Sequence, residues 1–507
     1  MEHLSTEQTI ALERFKAGKN LFITGPGGTG KTRLIHYLVQ YARSVSHACQ
    51  VCAMTGCAAI LIGGGAKTLH SWSGMRLGRG TKADIIKSIR GNPRAVKNWK
   101  QVKVLILDEV SMLSKKIFEA IEEAARIIRK NGARFGGIQV IFTGDFFQLP
   151  PVGSALEPDT MSFCFESPIW NSVFEIRNHI ELTTVFRQTD PIYKSILMEI
   201  RRGSITEANA EILRKYVGRE KPTECVPTKL FAHSSKAEFV NKAKFEKLEE
   251  KIYYLEYEKN TKMTVDYHSK KDIPKDILSK CASLTVAEID YELENLINNT
   301  SCLPVLSLKK GSVIMCTVNY DMERGICNGM QGIVTNIVEI SNKIKKLDSK
   351  ETDITPATKR YAPVVQFVNG YTTTMELHYW QSDEYPTIAV GQYPICLAWA
   401  LTIHKIQGAT LKMAEMDIGK TIFEYGQTYV ALSRIESLDG LYLSAFQPER
   451  IKANERVTTF YERIAEAQRS LPEEEITADS QELKEEEIAE PSIVPSIVPS
   501  TTRKIIL

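Results

Sequence analysis

The sequence predicts an α/β fold: two parallel-sheet domains, with a small insertion in the first and a β-rich insertion in the second. Three observations lead there. A short apolar strand, NLFIT at 20–24, runs straight into a glycine loop and then a helix. Two further apolar strands, at 102–107 and 138–143, end in polar or acidic tips, as strands of a parallel sheet covered on both faces do. A second strand–loop–helix signal at 229–248 and a third group at 393–444 bracket a stretch dense in strand and turn residues.

Composition sets the frame for these elements. The 507 residues leave room for two or more domains with full cores, and 43% apolar with 25% charged residues describes an ordinary globular chain. No run approaches the roughly 18 apolar residues of a membrane span. The start, MEHLSTEQTIALERF, has no apolar signal-peptide core. The ten cysteines are scattered. Cys49, Cys52 and Cys57 lack a second Cys/His pair at zinc spacing, so they read as free thiols of a reducing compartment. Net charge is +3, but nine acidic and three basic residues in 471–507 leave +9 on 1–470, mild support for a polyanion partner.

The first element is the strand at 20–24 with GPGGTGKT at 25–32 and the helix that follows, which places Leu34, Ile35, Leu38, Val39 and Ala42 on one face. This is the context that the pattern G-x-x-x-x-G-K-[ST] requires. Gly25, Gly27, Gly28, Thr29 and Gly30 let backbone N–H groups close around phosphate oxygens at a helix N-terminus. Lys31 then reaches the β- and γ-phosphates of a nucleoside triphosphate, and the Thr32 hydroxyl takes Mg²⁺.

VKVLILDE at 102–109 is the second strand, and its adjacent carboxylates fit a cation site. Asp108 is placed for Mg²⁺ and Glu109 for orienting and deprotonating an attacking water. The third strand leads into GDFFQLPPVG at 144–153. There the Gln148 amide is expected to sense the γ-phosphate, and Pro150 and Pro151 restrict the backbone behind it. Positional and electrostatic catalysis also asks for arginine, and Arg187 in VFRQ and Arg434 in ALSR are the candidates.

Between these phrases lie less regular segments. Residues 76–94, with Arg76, Arg79, Lys82, Lys87, Arg90 and Arg94, read as a small basic insertion able to meet a phosphate backbone or as a plain solvated face. The 247–271 stretch is charged, tyrosine-containing and unassigned. From about 303 to 390, strand runs separated by turns such as Asn328-Gly329 and Asn369-Gly370 fit a small barrel, with a basic loop carrying Lys343, Lys345, Lys346 and Lys350. The acidic, proline-containing tail reads as disordered, either a docking peptide or a solubilising end. Two α/β domains with a triphosphate at one and arginines from the other form a cleft that closes on nucleotide and ratchets a polymer. Single-stranded nucleic acid suits that arrangement, with His70, Trp72 and Phe147 as candidate stacking groups.

With those residues in hand, the chain resembles the petite-integration-frequency (Pif-like) family of superfamily-one, 5′–3′ DNA helicases. GPGGTGKT, LILDEVSML, FGGIQVIFTGDFFQLPPV, VFRQ, TIHKIQGATL and YVALSR occur in family order, over roughly 4–446. The resemblance implies ATPase roles for Lys31, Thr32, Asp108, Glu109, Gln148, Arg187 and Arg434, and adenine recognition by Gln8 in LSTEQ. It implies strand contact or coupling for Thr55, Gly56, Thr68 and His70, and DNA contact from the second domain for His404, Lys405 and Gln407. ATP and Mg²⁺ are the implied cofactors, and single-stranded DNA and ss/ds junctions the implied partners, with activity on forks and G-quadruplexes common in the family.

By the same resemblance the fold has two RecA-like domains, a wedge and an SH3-like barrel. The expected division is 1–180 with a wedge near 74–98, 181–325 with an unassigned insertion near 247–302, 326–392 as the SH3-like insertion, 393–470 as the remainder of the second domain, and 471–507 as tail. A monomer inside the cell is expected, compartment open, with no membrane and a protein partner as one reading of the tail. The long N-terminal extension common in the family, with any targeting it carries, is expected to be absent. The alternatives are an ATP-driven single-strand translocase or protein-displacing motor that separates little duplex, a motor on RNA, and a non-catalytic nucleic-acid scaffold.

Overall fold

The first domain is organised by a parallel sheet whose strands are β1 (Leu21–Thr24), β2 (Cys49–Ala53), β3 (Lys67–Thr68), β4 (Val104–Asp108), β5 (Gln139–Thr143) and β6 (His179–Glu181). In this computed structural model the order is β3-β2-β4-β5-β1-β6, every neighbouring pair parallel. The structure describes residues 4–470 apart from 77, 155, 223–226, 268–269, 322, 342–358, 383–384, 404–405 and 409, and apart from the side chains of 57, 60, 299, 341 and 359. The acidic tail and the basic loop with Lys343, Lys345, Lys346 and Lys350 therefore lie outside the described residues. Residues through Phe460 form one compact unit.

Local sequence explains the strands that matter most. All four residues of β1 and all five of β4 are buried, as continuous apolar runs in a two-sided sheet must be. The registers Ile23↔Thr143 and Leu107↔Phe142 bring the C-terminal tips of β1, β4 and β5 to one edge. That edge is where an open α/β sheet binds ligands. Helix Lys31–Ser44 buries Leu34, Ile35, Leu38 and Ala42 against the sheet at the expected spacing. Helix Lys115–Arg129, capped by Ser114, buries Phe118, Ile121, Ala124 and Ala125.

The 74–98 segment is a pair of helices, Lys82–Arg90 and Pro93–Gln101, packed against helix Lys115–Arg129. Thr81 and Asp84 form a capping box, and Asn92 caps a helix with proline at its first turn. Ile85, Ile86, Ile89 and Trp99 are buried. Lys82, Lys87, Arg90 and Arg94 lie on this amphipathic pair of helices, and Arg76 and Arg79 precede it.

The second domain has a parallel sheet in the order Ala400–Thr402, Thr228–Phe231, Ala414–Ile418, Leu441–Phe446. Between its first two chain segments lies the β insertion. Five antiparallel strands run in the order Thr372–Thr374, Lys359–Phe367, Gln331–Ser341, Val313–Cys316, Ile395–Leu397. The expected limits of 326–392 are thus too narrow, because Val313–Cys316 and Ile395–Leu397 belong to the same sheet. The unassigned 247–302 region contributes two strands to two further, smaller sheets of the insertion. Tyr253–Glu256 pairs with Val305–Leu308, and Glu258–Asn260 pairs with Ala389–Gln392. Helices Lys275–Ala282 and Val286–Asn299 place Cys281 and Leu293 in one core with Leu255, Trp380 and Tyr385.

Candidate nucleotide site and channel

The glycine loop between β1 and helix Lys31–Ser44 is enclosed from two directions. Gly28 has φ +86°, and a Cβ there would lie 2.6 Å from the Arg187 Cβ. Gly30 has φ +79°, and a Cβ there would lie 2.8 Å from the Gln8 Nε2. Glycine is required at both by conformation and by close approach. Lys31 Nζ donates to the carbonyls of Gly25 and Pro26 at 2.7 and 2.9 Å. Burial lowers the pKa of this ammonium, while the carboxylates of Asp145, Glu109 and Asp108 pull it up. Gln8 is buried, accepts from the Ser5 N–H at 3.0 Å and donates to Thr29 O at 3.3 Å, so its amide is tied to the loop.

The acid pair stands at the end of β4. Asp108 is buried, and its Oδ1 accepts from the Thr143 hydroxyl and from the Glu109 N–H. Burial, and then the Glu109 carboxylate, push the Asp108 carboxyl up to about 6. Glu109 has φ +57° and ψ +42°, an uncommon conformation for a side-chain-bearing residue. Its Oε2 accepts a 2.9 Å hydrogen bond from Gln407 Nε2 of the second domain. A buried carboxylate beside a second one, facing a glycine loop that ends in the Thr32 hydroxyl, fits a hard, oxygen-liganded cation.

The strand-exit loop after β5 is held by an ion pair that the sequence did not reveal. Asp145 and Arg201 have side chains 0% and 3% exposed and pair in two-pronged fashion at 3.0 Å on each prong. Asp145 also accepts from the Phe147 N–H. Gln148 is buried, and its Oε1 has no hydrogen-bond partner among the described residues. Asp145, in GDFFQLPPVG, is legible in the sequence as a charge just after a buried strand. Arg201 ends helix Pro191–Arg201 with no local signal of its partner.

The segment after β6 and residues of the second sheet's domain close over the loop. Arg187 Nη1 donates to Ser433 O at 2.9 Å. Burial, with the Arg434 guanidinium beside it, brings its pKa down to about 10. Arg434 is 2% exposed and is held by Val430 O and Ser433 Oγ, each at 3.0 Å. A Cβ on Gly27 would come 3.6 Å from its Nη2. The Gly27 N–H itself donates to Tyr429 Oη at 2.8 Å. Gln188, buried and likewise missed in the sequence, donates to Ser433 O and Ile435 O. Both predicted arginines therefore reach the glycine loop.

A cavity of about 2190 Å³ runs between the first domain and the β insertion, well above the range of small-molecule pockets. Lys67, Thr68, His70 and Lys87 face Asn298, Asn319 and His378 across it. Arg94 bridges its walls, donating to Glu292 at 3.2 Å and to Tyr385 Oη at 3.0 Å. Thr55 and Thr68 use their hydroxyl oxygens to cap the short helices Gly56–Ile62 and Leu69–Ser73. Burial lowers the pKa of His70.

Two expectations need correction. Trp72 borders the cavity but is 4% exposed and packs on Trp99 at 4.6 Å between ring centroids. Phe147 is 9% exposed and lies under the Arg201 guanidinium at 4.8 Å. Neither offers an open face for stacking. His233 and Phe423 stack on each other at 4.6 Å, with Phe423 58% exposed, and were not anticipated. His404 and Lys405 lie outside the described residues, and Gln407 meets Glu109 as described.

The glycine loop, its lysine and the acid pair define a P-loop nucleotide-binding protein, and Arg434 arriving from a second parallel sheet, between Ala414–Ile418 and Leu441–Phe446, narrows the class to two-lobed P-loop proteins. Within that class, the model of the PIF1-like helicases matches residues 3–211, and that of the DNA helicase Pif1 2B domain matches 292–337. The chain belongs to the PIF1-like helicase family. It is 33% identical over 466 residues to the ATP-dependent DNA helicase PIF1 of Danio rerio, covering 91% of this chain and 64% of that protein. It is 30% identical over 489 residues to the Homo sapiens protein of that name, covering 94% and 67%. The chain thus spans about two thirds of these relatives.

Among solved structures, Pif1 helicase from Candida albicans matches with a TM-score of 0.66 and 31% identity, over 92% of this chain and 100% of that one. Bacteroides Pif1 in complex with ADP-AlF4 matches with a TM-score of 0.68 and 27% identity, over 92% and 98%. The two parallel-sheet domains are RecA-like, with auxiliary insertions.

Proposed function

We propose that this chain is an ATP-dependent helicase that moves 5′ to 3′ along single-stranded DNA and separates duplex at ss/ds junctions. The observation that carries the reading is the convergence of both halves on one loop. Arg187, Arg434 and Tyr429 reach the glycine loop, while the wall of the large cavity is built by the first domain and by the insertion of the second. Closure on nucleotide therefore changes the relative position of the two walls, which is what a ratchet on a polymer needs. Family membership supports the same reading, and one structural relative is Bacteroides Pif1 bound to ssDNA.

In this mechanism the glycine loop and Lys31 hold the triphosphate in line. Glu109 accepts a proton from the attacking water, and Gln148 reports the γ-phosphate. Arg187 and Arg434 neutralise charge as the phosphoryl group leaves. Asp108 and the Thr32 hydroxyl would hold Mg²⁺, which when bound would supply charge neutralisation on the phosphates. Gln8 stands beside the loop as the proposed contact to adenine. Lys67, Thr68, His70 and Lys87 are proposed to track the strand, and the helical pair at 82–101 to act as the wedge. The division into domains, with the β insertion widened to take in Val313–Cys316 and Ile395–Leu397, the monomeric state and a protein partner for the tail belong to the same proposal.

Strand displacement with duplexes carrying either a 5′ or a 3′ single-stranded tail tests it. Unwinding of the 5′-tailed substrate alone is expected. Unwinding of the 3′-tailed substrate alone overturns the polarity, and ATP hydrolysis with no displaced strand replaces the helicase with a translocase.

A further inference from the structure

Gln407 connects two parts of the molecule that sequence keeps apart. It is 2% exposed, and its Nε2 donates to Glu109 Oε2 at 2.9 Å, across a sequence separation of 298. Its own Oε1 has no hydrogen-bond partner among the described residues, so Glu109 is the amide's one polar engagement there. Burying a primary amide is costly unless it is well bonded. A glutamine buried this way, with its donor aimed at the carboxylate beside the glycine loop, reads as a group kept for that carboxylate.

Two features of the surroundings give the contact direction. Glu109 leaves the strand end in a left-handed conformation, which aims its side chain, and the Gln407 amide fixes the far end. The donor is also neutral. An arginine or lysine there would add a charge beside the carboxylate, whereas an amide orients it through a neutral hydrogen bond. The next residue, Gly408, has φ +85°, and a Cβ there would lie 2.7 Å from Leu61 Cδ1. Leu61 and Ile62 belong to helix Gly56–Ile62 and line the large cavity. The chain next to Gln407 thus comes close to the cavity wall at Gly408, while the Gln407 side chain holds the acid.

We propose that Gln407 is a positioning residue for hydrolysis, holding Glu109 from the second domain and linking its orientation to the cavity wall that a strand would occupy. The inference rests on the proposed role of Glu109 as the base. It assigns Gln407 to the hydrolytic step, where family resemblance had implied a contact to DNA. A strand in the cavity then raises hydrolysis through kcat, by fixing the base, with little change in ATP affinity.

Gln407→Met in the full chain keeps length and volume and removes the donor. Steady-state hydrolysis at saturating oligo-dT should show kcat down roughly 10- to 100-fold, a share of the usual general-base contribution. KM for ATP and the Kd for oligo-dT by fluorescence anisotropy should stay within about threefold. Single-turnover hydrolysis in Glu109→Gln, with and without Gln407→Met, supplies a cycle. If Gln407 acts through Glu109, the second substitution adds nothing to the first. Unchanged kcat in Gln407→Met, additive losses in the cycle, or a loss confined to the Kd for oligo-dT each overturn the proposal. Normal hydrolysis in Glu109→Gln alone overturns instead the reading of Glu109 on which it rests. A folding defect in Gln407→Met would lower both arms alike and mimic additive losses, so the additive outcome counts against the proposal when the far-UV circular dichroism and the Kd for oligo-dT of Gln407→Met match those of the wild type.

Discussion

Acidification should loosen the first domain through one buried histidine. His179 opens β6, paired with Phe22, and is 3% exposed. Trp170 Nε1 donates to its Nε2 at 3.0 Å, and its Nδ1 lies 3.0 Å from Glu175 O. That pair of partners assigns a neutral ring with its proton on Nδ1. A second proton on Nε2 would confront the indole N–H and carry charge into a cluster with Phe22 and Phe460. Burial accordingly holds the pKa down at about 4 against an ordinary 6.5, although the carbonyls of Glu175 and Ile176 favour the charged ring.

The sign follows from proton uptake. Between pH 6.5 and about 4 the unfolded chain binds a proton here and the folded chain does not, so stability is full above pH 6.5 and falls as pH drops through that window. The whole gap corresponds to roughly 3 kcal/mol, and about 2 kcal/mol of it is lost between pH 7 and pH 5. Urea unfolding followed by tryptophan fluorescence, at both pH values, compares the wild type with His179→Gln. The wild type should lose about 2 kcal/mol more than the variant on acidification. Equal losses in the two proteins, or a His179 imidazole titrating near its ordinary pKa by NMR, would falsify the reasoning.

Three further outcomes are expected. Gly28→Ala adds a Cβ 2.6 Å from the Arg187 Cβ at φ +86°, whereas Gly18→Ala meets nothing within 4 Å at φ +70°. Both bear about 1–2 kcal/mol of backbone strain, but only Gly28→Ala should displace Arg187 and depress kcat/KM for ATP, by roughly 100-fold or more; equal activities in steady-state assays would contradict this. Arg201→Met leaves the Asp145 carboxylate buried without its partner and should destabilise the protein by roughly 3–5 kcal/mol in denaturant unfolding, with Asp145→Asn recovering most of the loss; no recovery in the double variant would mean the pair is not the source. Arg94→Ala removes the bridge across the cavity to Glu292 and Tyr385, bonds worth about 1 kcal/mol at a half-buried site. Oligo-dT should then dissociate about fivefold faster in stopped flow, and an unchanged off-rate would show that the bridge does not restrain the strand.

Elements with strong local periodicity were legible in the sequence. β1, β4, β5 and helix Lys31–Ser44 sit within a few residues of where their apolar runs placed them, because burial on both sheet faces or along one helix face writes itself into consecutive residues. The β insertion was only partly legible. Tyr253–Glu256 and Glu258–Asn260 are short, half-exposed strands whose partners lie about 50 and 130 residues away, and so carry little alternation of their own. Trp72 and Phe147 show the opposite error. An aromatic residue in a polar stretch suggests an exposed platform, yet Trp99 and Arg201, distant in sequence, cover the two rings.

The nucleotide chemistry is determined by sequence alone, since a glycine loop, its lysine and an acid pair at a strand end act through backbone geometry that a few contiguous residues define. Which residues of the second half meet that chemistry was decided only by tertiary structure. Gln407 on Glu109, Tyr429 on Gly27 and Arg201 on Asp145 are contacts over 298, 402 and 56 residues. Spacing of that kind carries no geometric information until two sheets and their insertions have packed. The same packing created the large cavity, whose walls come from segments that neither length nor composition relates to one another.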